Sequence, residues 1–353
     1  MPNPTTISMI AEKAGVSKST ATLALKNSPK VIDEKRLKIQ KIARELGYKP
    51  NPFVSAQMAH IRQKKKQKMV TTIGFLSTWI NNDEHKRLRW SIIGRYCAGA
   101  KMRAEELGFL FELFEFDQDE TSDARIQQIL ESRNIDGIVL APLRTSTARL
   151  NLNWSSYSLS AIGYYDAYDK IHRVFYDNYR CMQLVMTRLV DYGYQRIGFI
   201  TNEETEIRAG HYWSGAYLDF QFRMIPEDQR VPLLGMAKLE AELNKRDFDQ
   251  IHDWYLERKP DAIISFLDRT LHYFKSKGYN APEDFGYVAL TWTKEMGDCS
   301  GYNQCLEEVG AAAVDVVVDG LHRNERGIPR NHSTTLLDGQ FIEGKTLRKR
   351  RPQ

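Results

Sequence analysis

At 353 residues the chain is too long for one typical domain and suits two or three. Its 42% hydrophobic and 27% charged residues suit a soluble globular protein. No run of roughly 18 apolar residues is present to span a membrane. The N-terminus lacks the basic-then-apolar layout of an export signal. The cysteines Cys97, Cys181, Cys299 and Cys305 are scattered without a CxxC pair, so buried thiols in a reducing cytoplasm are expected. The eight histidines show no metal-binding spacing, and no cofactor is implied. The charge is lopsided. Residues 1–68 hold fifteen Lys/Arg against four acids, a net of +11, so in a chain of net +5 the remainder carries −6. A basic module on a mildly acidic body is the electrostatic footprint of a nucleic-acid-binding head.

The first elements in chain order are three short helices. Thr6 precedes ISMIAEKAG, with Ile7, Ile10, Ala11 and Ala14 at helical spacing and Gly15 as the stop. Ser17 caps a second helix from Lys18 to Lys26, with Ala21, Ala24 and Leu25 on its apolar side. The intervening AGVS is a short corner with a Gly, as a helix-turn-helix needs. A third helix is predicted from about Asp33, with Ile39, Ile42, Ala43 and Leu46 inward and Gly47 as its stop.

The string ISMIAEKAGVSKSTATLALKNSPKVIDEKRLKIQKIARELGYKPN resembles the head of the lactose/galactose repressor (LacI/GalR) family. That family's pattern is A-x-x-A-G-V-S, then S-x-x-T-V-S-x-x-L-N, closing at L-G-Y-x-P-N, and the likeness is nearly continuous over residues 6–51. The resemblance implies that the second helix enters the major groove, where Lys18, Ser19 and Leu23 match the base readers. Leu23 stands where several members carry Arg, which points to a thymine methyl instead of guanine. Ser17, Thr20, Thr22, Asn27 and Tyr48 fall near phosphates. Thr6 and Asn51 complete the DNA-contacting candidates of the head, assigned to residues 1–51.

Residues 52–69 form a hinge helix candidate and a basic linker. Pro50 and Pro52 stop the third helix. SAQMA is similar to the family's hinge helix, which puts Met58 at the position that wedges into the minor groove, with Phe53 or Ile61 as alternatives because the alignment takes one extra residue after Pro50. Lys64, Lys65, Lys66 and Lys68 fit a non-specific phosphate clamp. So short a helix is marginal alone and is expected to order on DNA.

From residue 70 to 353, apolar strands alternate with amphipathic helices, beginning with TTIGFLST and the helix holding Trp90, Ile93, Cys97, Ala100 and Ala104. The alternation implies an α/β body of two doubly wound parallel-sheet lobes. The body resembles the family's effector-binding core, of periplasmic-binding-protein type, with discontinuous lobes whose crossovers are expected near 163, 291 and 324. Ligands in such folds sit beyond the strand C-termini. Three polar sugar ligands of the family are absent or displaced: Tyr212 replaces an Arg, with Arg208 one turn earlier; Leu267-Asp268 replaces Asn-Asp; and Thr291 replaces an Asp. Trp79, Tyr164, Trp213 and Trp292 add aromatic faces. The effector candidates are therefore Trp79, Asp83, Tyr164, Arg208, Tyr212, Trp213, Asp268 and Trp292, for a planar or apolar molecule or a sugar stacked on rings. Each aromatic taken singly is as readily core.

No GxSxG, P-loop, GxGxxG or HExxH motif is present, and Asp83, Asp166 and Asp268 form no acid–base pair, so catalysis is not expected. The expectation is a sequence-specific transcriptional regulator, a repressor, binding a pseudo-palindromic double-stranded DNA operator as a homodimer or tetramer under a small-molecule effector. The alternative is a constitutive DNA-binding regulator whose body only dimerises or docks a protein. A solute-binding protein or enzyme on the same fold is the third possibility, disfavoured by the basic head.

Overall fold

The computed structural model describes residues 6–25, 27–28, 31–48, 71–78, 84–117, 120–143, 148–163, 170–237, 243–267 and 269–349, with the side chains of 84–91 excepted. The expected hinge at 52–69 and the candidates Asn51, Met58, Trp79, Asp83, Tyr164 and Asp268 lie outside these residues. The chain separates into two units, Met1–Met69 and Val70–Gln353.

In the first unit, α1 (Ile7–Ala14), α2 (Lys18–Leu25) and α3 (Asp33–Glu45) close one small core. Thr6 is extended and its side chain accepts the Met9 N–H at 3.4 Å. Gly15 stops α1 at φ +65, a conformation costly for any residue with a Cβ. Ser17 Oγ accepts the Thr20 N–H at 3.1 Å and so caps α2. Asp33 and Glu34 sit at the positive end of the α3 dipole. Ile10, Ala11, Ala21, Ala24, Val31, Ile39 and Ala43 are buried, and four of the seven are alanines, which lets the helices approach closely.

The second unit runs β1 (Thr72–Ser77), α4 (Glu84–Glu106), β2 (Leu110–Glu115), α5 (Asp123–Ser132), β3 (Ile135–Leu140), β4 (Ser158–Ile162), β5 (Arg173–Tyr176), α6 (Asn178–Asp191), β6 (Ile197–Asn202), α7 (Glu203–Arg208), α8 (Tyr212–Met224) and β7 (Leu234–Met236). It continues with α9 (Lys245–Arg258), β8 (Ala262–Ser265), α10 (Arg269–Ser276), β9 (Gly286–Ala289), β10 (Gly301–Asn303), α11 (Leu306–Arg323), β11 (Thr334–Leu337) and β12 (Gln340–Ile342). Two six-stranded sheets result, ordered β11-β5-β4-β3-β1-β2 and β12-β10-β9-β8-β6-β7. All pairings are parallel except β12 against β10. The strands β1 and β6 are buried at every position, as sheets covered on both faces require. Two doubly wound lobes are thus present. Among the described residues no helix is long and apolar enough to cross a membrane.

The lobes are discontinuous, but the crossovers are not where the sequence suggested. The strand after Gly163 stays in the first sheet, with Ala161 and Ile162 in register with Arg173 and Val174. The first passage is therefore at Asp177, before α6, which packs on α8 through Gln183 Nε2 donating to the Ala216 carbonyl at 3.0 Å. The strand after Thr291 likewise stays in the second sheet, Gly301 pairing with Ala289. The second passage follows Asn303, because α11 lies on the first sheet: Ser158 and Ser160 hydroxyls donate to the Val317 and Ala313 carbonyls at 2.9 and 2.8 Å. Asn324 is only the left-handed cap of α11, and the third passage falls between Leu337 and Gln340. Gly163, Thr291 and Asn324 mark local stops, whereas sheet membership is decided by non-local pairing.

The helices α4 and α11 cross almost backbone to backbone. A Cβ on Gly99 would overlap the Glu307 carbonyl oxygen, and one on Gly310 the Tyr96 carbonyl oxygen. Arg95 locks the crossing with a two-pronged ion pair to Glu307, both bonds at 2.7 Å, and reaches Asn303 Oδ1 at 3.4 Å. Burial pushes the Glu307 carboxyl up, but the Arg95 hydrogen bonds outweigh this and hold it below its ordinary value.

Candidate nucleic-acid interface and ligand cleft

In the head, α2 presents Lys18 and Ser19 to solvent, with Thr20, Thr22 and Leu23 half-buried. Ser17 Oγ lies 2.8 Å from both Ser19 Oγ and Thr20 Oγ1, so three hydroxyls cluster where the helix N–H groups are unpaired. Such an end favours anions. Thr22 Oγ1 donates to the Lys18 carbonyl at 2.7 Å. Leu23 and Tyr48 pack against the head core, so each has one side committed to packing. Thr6 and Asn27 are exposed. Asn27 takes φ +54 after α2, and Gln40 of α3 donates to its Oδ1 at 2.6 Å and to the Ala24 carbonyl at 3.0 Å. Gln40 thereby fastens the end of α2 to α3. Sequence reading missed it, because the link spans residues 24 to 40 and no local pattern announces it.

In the body, the C-terminal ends of the two sheets meet through aromatic side chains. Trp213, in the first turn of α8, has no exposed surface. Its ring lies 6.1 Å from Tyr176 at the end of β5 and 5.9 Å from Phe266 just beyond β8. Tyr176 and Phe175 rings are 4.1 Å apart. Trp213 is thus part of the core that joins the lobes, not a free face. Burial pushes the Tyr176 hydroxyl far above its ordinary range, with Tyr96, Arg208 and Gln304 as its polar neighbours. Gln304 is itself buried and donates to the Leu290 carbonyl at 2.8 Å. Arg208 is half-buried, Tyr212 is 38% exposed, and Trp292 is half-buried with Nε1 donating to the Cys299 carbonyl at 2.9 Å. The sequence reading therefore named Arg208 and Trp213 of this group. It missed Tyr96, Tyr176 and Gln304, although Tyr176 lies in VFYDN at a predicted strand end, where ligands of such folds are held.

Residues 6–51 match the family model for bacterial regulatory proteins of the lacI family. Relatives and solved structures agree with that match. DegA, an HTH-type transcriptional regulator of Bacillus subtilis (strain 168), is 28% identical over 39% of this chain, which spans only 36% of DegA. The NTD biosynthesis operon regulator NtdR of the same organism is 22% identical over 81% of this chain and 82% of its own length. Among solved structures, the lac repressor dimer bound to operator and the anti-inducer ONPF superposes with a TM-score of 0.56 at 16% identity, covering 98% of this chain and 99% of that one. Residues 6–51 are a DNA-binding head of the lacI family, and the chain as a whole is similar to transcriptional regulators that carry such a head. Such regulators are not enzymes, and the two lobes are of the type shared with periplasmic binding proteins. For a LacI/GalR regulator the head is the DNA-binding element.

Proposed function

We propose that this DNA-binding regulator is a repressor that binds a pseudo-palindromic operator as a homodimer, under a small molecule held between the lobes. The observation that carries the reading is α2. It is capped by Ser17 and offers Lys18 and Ser19 on its exposed N-terminal face, within a segment of net +11. Lys18, Ser19 and Leu23 read base edges; Thr6, Ser17, Thr20, Thr22, Asn27, Tyr48 and Asn51 position the backbone; Met58 wedges in the minor groove. One head of this size covers a half-site, so two-fold pairing follows. Arg208, Tyr212, Trp213 and Trp292, with Trp79, Asp83, Tyr164 and Asp268, line the effector side. Because the hinge helix is marginal alone, a coupling of about 1–3 kcal/mol between cleft and hinge suffices for switching. Footprinting of the full chain on its operator tests this. Two protected half-sites related by inversion are expected, and a single unrepeated protected site overturns the dimer.

One observation favours the second reading, a constitutive regulator whose body only dimerises or docks a protein. The Tyr176–Trp213–Phe266 rings occupy the seam in which an effector would sit.

A further inference from the structure

Among the described residues of the body, the buried polar atoms that have no hydrogen-bond partner include Thr78 Oγ1, both amide atoms of Asn178, and Trp213 Nε1. They are 3%, 3% and 0% exposed. Folded proteins leave few such atoms unmet, because each forfeits its bonds to water without replacement. All three lie where parallel strands end. Thr78 directly follows β1, Asn178 opens α6 two residues past the end of β5, and the Trp213 ring touches Tyr176 at the end of β5 and Phe266 just past β8.

The carboxylates at these ends are committed elsewhere. Asp177 accepts the Arg180 N–H at 2.9 Å and caps α6. Glu206 accepts from Thr201 Oγ1 and from the Ser214 N–H, both at 3.1 Å. The unmet capacity at these three positions is neutral. It comprises one amide that both donates and accepts, just past β5, one N–H donor by the rings of Tyr176 and Phe266, and one hydroxyl at the end of β1, which β3 and β4 separate from β5.

We propose that the effector of this chain is a neutral planar carboxamide or lactam whose donor–acceptor edge pairs with the Asn178 amide. The proposal rests on the effector reading above and names the ligand class. Two antiparallel amide–amide bonds satisfy both orphaned atoms of Asn178 at once, and Trp213 Nε1 remains for a second carbonyl or ring nitrogen. A monosaccharide carries more hydroxyls than Asn178 and Trp213 can serve, and each one left unmet would be penalised. Entry requires the Tyr176–Trp213 contact to open. That contact joins the end of the first sheet to α8 of the second lobe, so occupancy changes the lobe angle.

The test uses the full chain and thermal unfolding with four probes: uracil, nicotinamide, glucose and cellobiose. Uracil or nicotinamide should raise Tm increasingly with concentration, and the sugars should not. Asn178→Leu, close in volume, should raise the Tm of the ligand-free protein by removing unmet polar atoms, and should abolish the probe shift. Thr78→Val is a second, milder variant whose ligand-free Tm should hold or rise. A fall in ligand-free Tm for both variants would show that these groups are satisfied in the native protein and overturn the proposal. A shift with the sugars alone would overturn the ligand class while leaving the effector reading intact. No shift with any probe, together with operator affinity indifferent to all four, would overturn both.

Discussion

Replacing Gly310 by Ala should destabilise the body, although alanine is the better helix former. The added Cβ would overlap the Tyr96 carbonyl oxygen and lie 2.8 Å from its carbon and 3.0 Å from the Ala100 nitrogen. These are backbone atoms of α4, so no side chain can rotate aside. The helices must part by about an ångström, and overpacking of this kind costs about 1–3 kcal/mol. The gain in helix propensity returns about 0.5–1 kcal/mol. The net is a loss of roughly 1–2 kcal/mol, which in a unit of this size lowers Tm by about 2–3 °C. Parting the helices also lengthens the Arg95–Glu307 pair, which spans the same crossing. Gly215→Ala is the internal control. It too lies inside a helix, but a Cβ there meets nothing within 4 Å. That variant should be neutral or gain up to about 1 kcal/mol. Calorimetric unfolding of the two variants and the parent checks the pair. A Gly310→Ala protein as stable as Gly215→Ala would refute the reasoning, because it would mean α4 and α11 do not cross at this distance.

Ser17→Ala should lose about 1 kcal/mol of head stability with the cap, whereas Ser17→Asp should keep the cap and still weaken DNA binding by placing a carboxylate beside phosphates; circular dichroism melts and gel-shift titrations separate the two effects. Operator affinity should fall steeply with salt, by an amount matching about six to ten phosphate contacts per dimer; a constant unchanged between low and physiological salt contradicts the assignment. Burial lowers the His172 imidazole below its ordinary 6.5, and its Nδ1 accepts the Ser333 N–H at 3.1 Å, a bond that protonation removes. The unfolded chain then binds the proton first, so stability is complete above about 6.5 and declines as pH falls through that value. Tm compared at neutral and mildly acidic pH should show the decline, and His172→Gln should lessen it.

What could be read without coordinates follows the range of the interactions. The head was legible because caps, stops and apolar spacing are local: Thr6, Gly15, Ser17 and Gly47 each declare themselves within a turn of chain. The two-lobe body was legible from strand–helix alternation. The crossovers were not, because Gly163 and Thr291 end strands without saying which sheet the next strand joins. Trp213 was legible as important yet not as core, since its burial depends on Tyr176 and Phe266, far away in sequence. Asn178 closes the same VFYDN string as Tyr176, yet nothing local marks its amide as unmet. Whether a buried amide finds its partners is a tertiary property, and only the folded chain exposes the deficit.

The central claim is that α2 of this chain reads DNA sequence, and selection from randomised duplexes tests it most directly. The full chain should enrich a consensus of two inverted half-sites. Lys18→Ala should change the preferred bases at particular positions, costing about 1–3 kcal/mol there, while binding elsewhere in the site is kept. A Lys18→Ala protein that enriches the parent's consensus unchanged, with affinity lowered evenly over all sequences, would contradict the account.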